Sequence, residues 1–164
     1  MVYRITDKDS FWIVGISKTV PIVFSGPNNE IDAMWKTLTP DMITYWKSIS
    51  NIEPAGIISA STNFSDDRMS GNGTLDHFIG VATTAVSTRE MSSIEVESGA
   101  WAIFEVIGDF PRNLQSAWGR IYSEWFPQSD YELREGPEIL WNEGPDTTKP
   151  DFRSEIWVPV KRRS

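Results

Sequence analysis

The sequence predicts an α+β fold built from a duplicated βαββ unit, and three observations predict it. Apolar patterns follow the order strand, helix, strand, strand, and then repeat that order with little residue identity. The length of 164 residues fits one domain or two intimately packed halves. Hydrophobic residues make up 40% and charged residues 23%, the balance of a globular chain with a sizeable core. The half-repeats run approximately over residues 1–86 and 87–164 of one domain. On this plan a pseudo-twofold relates two antiparallel sheets, two main helices each cover one sheet face, and the uncovered faces line a central ligand cleft.

The elements follow in order. Phe11 to Ile16 reads as a buried strand that continues through residues 17–27 and breaks at Ser25-Gly26-Pro27. Asn28 or Asn29 caps a helix whose apolar positions, Ile31, Met34, Trp35 and Leu38, repeat at helical spacing. Thr39-Pro40-Asp41 restarts it with a capping hydroxyl, proline at the first helical position and an acid in the first turn. Met42, Tyr45, Trp46 and Ile49 continue the stripe. Strands follow at residues 56–60, 76–84 and around Ile94 to Val96, with a polar loop at 63–75 and a linker at 87–93. The second half opens with the strand Ala100 to Ile107, then a helix entered through residues 108–111 with Asp109 as possible cap. Its stripe is Leu114, Ala117, Trp118, Ile121, Tyr122 and Trp125, stopped at Phe126-Pro127. Tyr131 to Trp141 reads as a strand broken at Gly136-Pro137, a loop spans 142–152, and Lys161 to Ser164 forms a short solvated tail.

The stretch with most chemical content is Ser154 to Val160. Period-two alternation turns Ile156, Val158 and Val160 to one face and Glu155, Trp157 and Pro159 to the other. A carboxylate two residues from an indole offers a seat for an organic cation. The plainer reading is a strand that half-buries Glu155 against an arginine such as Arg112 or Arg134. Eight tryptophans, eight phenylalanines and four tyrosines exceed what a core of this size needs, and imply an aromatic-lined pocket or interface beside a tryptophan-rich core. The net charge of −8 repels nucleic acid and attracts cations. With no cysteine and one histidine, His77, there is neither a disulfide framework nor a multi-histidine metal site, and no cofactor is expected. Without a signal pattern or an apolar run of membrane-spanning length, the expectation is a cytoplasmic monomer or weak dimer that engages neither membrane nor nucleic acid directly.

An ordered set of short pieces resembles the GyrI-like, or bacterial effector-binding, domain family. The set is Ala100-Trp101-Ala102-Ile103-Phe104, Ala117-Trp118, Tyr122 to Ser129, Tyr131-Glu132, Gly136-Pro137 and Glu155 to Val160, with His77-Phe78-Ile79-Gly80-Val81 in the first half. That family includes the ligand-sensing domains of multidrug-responsive transcription activators. The resemblance implies the duplicated βαββ fold and binding of lipophilic cations over a buried glutamate ringed by aromatics. Glu155 in Glu-x-Trp-x-Pro matches the family's Glu-x-aromatic-x-Pro pattern. A second acidic position expected after Gly136-Pro137 is apolar here, near Leu140, and a tyrosine expected three residues before Gly80 is His77.

The implied function is binding of lipophilic, cationic small molecules for sensing or sequestration. Glu155, Trp157, Trp101, Glu105, His77, Trp35 and Trp46 are the candidate ligand-binding residues. Each has a plainer alternative. Glu105 alternates with Trp101 and Ile103 and would otherwise sit on a rim; Trp35 and Trp46 either gate the cleft or belong to the core; His77 is otherwise a satisfied strand histidine. Trp118, Trp125 and Tyr122 belong to the helical stripe. Some stand-alone relatives hydrolyse reactive cyclopropane-containing compounds with a glutamate base and a tyrosine partner. The alternative function is therefore hydrolysis with Glu155 as general base, set against the histidine where the tyrosine is expected.

Overall fold

A computed structural model describes residues 1–23, 28–65, 73–85, 91–110, 112–144 and 146–164. The expected break at Ser25-Gly26-Pro27, the helix entry at Pro111 and parts of the 63–75 loop and the 87–93 linker lie outside them. The chain opens with β1 (Tyr3–Lys8), a strand that sequence reading leaves unassigned, followed by β2 (Phe11–Pro21). Next come α1 (Asn29–Lys36), α2 (Pro40–Ile49), β3 (Ile58–Thr62), β4 (Thr74–Thr83) and β5 (Ser92–Val96). Then β6 (Gly99–Ile107) leads to α3 (Arg112–Arg120), which runs through a π-helical turn at Ile121–Trp125 into a last turn, α4 (Phe126–Gln128). The chain ends with β7 (Tyr131–Leu133), β8 (Glu138–Asn142) and β9 (Arg153–Arg162). The fold is thus α+β, with antiparallel strand pairing. The chain divides into two compact units, Ser10–Glu97 and Met1–Asp9 with Ser98–Ser164.

In the unit Ser10–Glu97 the strands lie in the order β3-β4-β2-β5. The caps that the sequence announces are made. The Asn28 side chain accepts from the amides of Glu30 and Ile31, and Thr39 Oγ1 accepts from the Met42 amide at 3.2 Å, with Pro40 at the first helical position where no donor is missed. The stripes of α1 and α2 bury Met34 and Trp46 against Val20, Leu75, Ile79 and Val81. Burial of each large side chain of this kind stabilises the fold by roughly 1.5–3 kcal/mol. Gly15 and Gly80 stand opposite each other in the β2–β4 register. A Cβ on Gly15 would collide with the Ile79 carbonyl, and one on Gly80 with the Val14 carbonyl, so the two backbones approach more closely than any side chain permits.

In the other unit the strands lie in the order β1-β6-β9-β8, with β7 also pairing β9. Ile156, Val158 and Val160 pack with Ala102, Phe104, Leu114, Ile121 and Phe126, as period-two alternation on β9 and helical spacing on α3 require. Trp125 makes edge contacts with Tyr3, Phe104 and Phe126 and lies near-parallel to Tyr131 at 6.1 Å, while Trp118 and Tyr122 pack on the same cluster. Gly136, at φ 151°, provides the break between β7 and β8 in a conformation that disfavours side chains. One expectation is corrected. The C-terminal residues are exposed but structured: β9 extends to Arg162, pairing Tyr131↔Arg162 and Glu132↔Lys161, because β7 returns alongside it. Arg163 donates to the carbonyls of Phe126 and Tyr131, satisfying the end of α4.

Candidate functional site

The second face of β9 carries Arg153, Glu155, Trp157 and Pro159. Residues directly opposite in antiparallel strands share a face, so register fixes their neighbours. On β6 these are Trp101↔Pro159, Ile103↔Trp157 and Glu105↔Glu155. On β8 they are Ile139↔Trp157 and Trp141↔Glu155, and β1 adds Arg4 opposite Ile103. Trp101, Ile103, Ile139 and Trp157 are buried, and Glu155 is only 6% exposed. The indoles of Trp101 and Trp157 meet at a tilted edge, centroids 6.0 Å apart.

Two glutamates face each other across β6 and β9, an arrangement that repels unless a cation intervenes. Arg153 is that cation. Its Nη2 lies 2.9 Å from Glu155 Oε2 and its Nε 3.8 Å from Glu105 Oε2, while its guanidinium sits 5.3 Å from the Trp141 ring centroid. Arg4 Nη1 reaches the same Glu155 oxygen at 3.5 Å, and Trp157 Nε1–H donates to Glu155 Oε1 at 3.1 Å. The carboxylate therefore accepts from two guanidiniums and an indole. Two further protein cations lie over the buried indoles: Lys8 Nζ, 5.6 Å from the Trp157 centroid, and the Arg134 guanidinium, 5.3 Å from that of Trp101. The exposed end of the group is formed by the arginines and Glu105, and its buried floor by the indoles.

Of the sequence-predicted residues, the structure brings together Glu155, Trp157, Trp101 and Glu105. Trp35, Trp46 and His77 belong to the unit Ser10–Glu97. Trp46 is a core residue, 1% exposed, its Nε1–H directed at Met91 Sδ at 3.1 Å. Trp35 lies on α1 and is exposed. His77 shares the helix-covered side of β4 with Leu75 and Ile79, its Nδ1 3.1 Å from Ser61 Oγ, and burial pushes it down to about 4, so it is neutral at pH 7. The arginine partners differ from those expected. Arg134 donates to the carbonyls of Val160 and Ala100, and Arg112 lies at the start of α3; Arg153 and Arg4 hold Glu155 instead. Arg153 stands two residues before Glu155 on one strand, a spacing that places both on one face and is readable in the sequence. Arg4 and Lys8 escape notice because the strand that carries them does, and Trp141 was read only as the end of a strand.

Two open cavities lie on this unit. One of about 570 Å³ is bordered by Asp109, Arg112, Gln115, Thr148 and Lys149. The other, about 290 Å³, takes in Glu105, Asn113 and Arg120. Neither includes Glu155, which lies under its own arginines. Among the described residues no group of histidines and acids could hold a metal ion, and no helix is long and apolar enough to cross a membrane.

Comparison with solved structures finds the same fold in several proteins. The structure of SAV2435 bound to tetraphenylphosphonium matches with a TM-score of 0.73 at 22% identity, over 98% of this chain and 94% of that one. An integron cassette protein from the mobile metagenome of Vibrio cholerae matches with a TM-score of 0.61 at 14% identity, over 97% and 95%. The C-terminal domain of EcmrR matches with a TM-score of 0.66 at 11% identity, over 99% and 98%. In the EcmrR–DNA complex the similarity extends over 58% of the EcmrR chain. No curated protein sequence matches the chain. The family model of the GyrI-like small molecule binding domain matches residues 1–161, and the chain belongs to that family.

Proposed function

We propose that this GyrI-like domain binds lipophilic organic cations, with Glu155 as counter-ion and Trp157, Trp101 and Trp141 as aromatic surfaces, and that it serves effector sensing or sequestration. One observation carries the reading. A nearly buried carboxylate already holds a planar cation against an indole, the Arg153 guanidinium between Glu155 and Trp141. A site with that chemistry selects by positive charge and flat apolar shape, each good cation–π contact contributing roughly 0.5–2 kcal/mol. The tetraphenylphosphonium held by SAV2435, a protein of the same fold, supports the choice of ligand class. Glu105 belongs to the rim of this site. The two units carry matching strand orders, β3-β4-β2-β5 and β8-β9-β6-β1, which supports descent of both from one βαββ plan. Hydrolysis gains no comparable support, since both oxygens of Glu155 already accept hydrogen bonds or ion pairs.

The test is a pair of titrations followed by tryptophan fluorescence, with tetraphenylphosphonium and its anionic counterpart of nearly equal shape, tetraphenylborate. The phosphonium should bind with micromolar affinity and the borate at least about tenfold more weakly, the equivalent of ~1.4 kcal/mol. Equal affinities would overturn the cation reading.

A further inference from the structure

Arg153 meets the Glu155 site in the way an organic cation would. It has positive charge, a flat delocalised face 5.3 Å from the Trp141 centroid, and an ion pair with the buried carboxylate at 2.9 Å. Its side chain is nevertheless 40% exposed, and among the described residues a long contact to Glu105, 3.8 Å, is what ties it elsewhere. The other cations over the indoles differ. Lys8 Nζ lies over the Trp157 ring, 5.6 Å from its centroid, and Arg134 donates to backbone carbonyls of two strands. Arg153 joins carboxylate and indole in one contact, and it stands at the exposed end of the group. Arg4, on the same Glu155 oxygen at 3.5 Å, is a second guanidinium at the carboxylate, carried by a different strand.

We propose that Arg153 is a tethered competitor: its guanidinium occupies the Glu155–Trp141 seat in the unliganded protein, and an organic cation binds by displacing it toward Glu105 and solvent. The proposal rests on the cation-binding reading above and adds a specificity device to it. A tethered guanidinium has a high effective concentration at the carboxylate. A free cation wins the seat by contributing apolar area that the arginine lacks. Small hydrated cations, which offer charge without area, are excluded, and lipophilic aromatic cations pass. The arginine therefore converts a generic acidic site into one selective for large aromatic cations.

The experiment compares wild type with Arg153→Met and Arg153→Lys variants, titrating tetraphenylphosphonium and the small cation tetramethylammonium, with thermal melts to establish folding. Methionine keeps an unbranched, flexible apolar stem and removes the guanidinium and its charge. Arg153→Met should bind the phosphonium at least tenfold more tightly and should gain measurable affinity for tetramethylammonium; Arg153→Lys, a weaker stacker, should lie between. In a Glu155→Gln background the Arg153→Met gain should vanish. Unchanged or weakened phosphonium binding in a folded Arg153→Met variant, beside Glu155-dependent binding in wild type, overturns the tethered competitor and leaves the cation site standing. Absence of binding in both proteins rejects the site itself and the proposal with it. Should Arg153→Met not fold, the wild-type Arg153 Nε–H resonance, assigned through Arg153→Lys, decides. It should shift toward the position of a solvent-exposed arginine and exchange faster with water at saturating phosphonium, and an unperturbed signal rejects the displacement.

Discussion

Replacing Glu155 by glutamine separates its role as a counter-ion from its role as a strut, and the structure sets the size of both effects. Glutamine can still accept from Trp157 Nε1–H, so that 3.1 Å bond survives in neutral form. What is lost is the charge facing Arg153 and Arg4. Stripping one partner from a fully buried pair costs about 3–5 kcal/mol, but that figure does not apply here. Both arginine side chains are close to half exposed, at 40% and 47%, and Arg153 retains Glu105 at 3.8 Å. The stability loss is the difference between charge-assisted and neutral hydrogen bonds, discounted for exposure, about 1–2 kcal/mol. For a chain of this size that lowers Tm by roughly 2–8 °C. Affinity for tetraphenylphosphonium should fall further, by about 1.5–3 kcal/mol, or roughly 10- to 150-fold, since the ligand loses its only buried counter-charge in the proposed site. Circular-dichroism melts beside fluorescence titrations measure both on one preparation. A folded Glu155→Gln protein that binds the phosphonium as wild type does would refute the assignment and make Glu105 the next residue to replace. A Tm drop far beyond this range with affinity intact would show Glu155 to be purely structural.

Other outcomes follow from the same structure. His77 is neutral and buried, its folded value near 4 against about 6.5 unfolded, so the unfolded chain takes up the proton first as pH falls. Its contribution is full above pH 6.5 and is lost toward pH 4, about 3 kcal/mol in all. A His77→Gln variant should therefore show a flatter melting-versus-pH profile in that window, and an identical profile would contradict the burial argument. Gly80→Ala should cost about 3 kcal/mol or more in urea unfolding, because the new methyl meets the Val14 carbonyl and the backbones must separate; a near-neutral effect would mean the strands part easily. With a net charge of −8 the isolated chain should not shift duplex DNA at physiological salt, and a salt-sensitive mobility shift would contradict this.

Local patterns made much of the fold legible. Thr39-Pro40, the stripe from Leu114 to Trp125 and the two faces of β9 each follow from one period or one capping rule, and the structure contains them. The first strand escaped because Tyr3 to Lys8 is short and carries just two apolar-bodied residues, Tyr3 and Ile5, opposite a wholly polar face of Arg4, Thr6 and Lys8, and its identity depends on pairing with β6, roughly a hundred residues away in sequence. The same non-local pairing hid the electrostatics of the site. Glu155 and Trp157 share a strand and could be read together, whereas the opposition of Glu105 to Glu155, and Arg4 on the same carboxylate, exist only once three strands are in register. Arg153 sat on the boundary between an expected loop and an expected strand, so its place beside Glu155 went unread. Trp46 shows the converse: its helical spacing was plain, and packing made it core.

The central claim, that Glu155 and the surrounding indoles form the cation seat, is tested most directly by a crystal structure of the protein with tetraphenylphosphonium. The account predicts phosphorus within about 6 Å of the Glu155 carboxylate, with phenyl rings against Trp157 or Trp141. Phosphonium density in the cavity bordered by Asp109, Arg112 and Lys149, with the Arg153–Glu155 pair undisturbed, would contradict it.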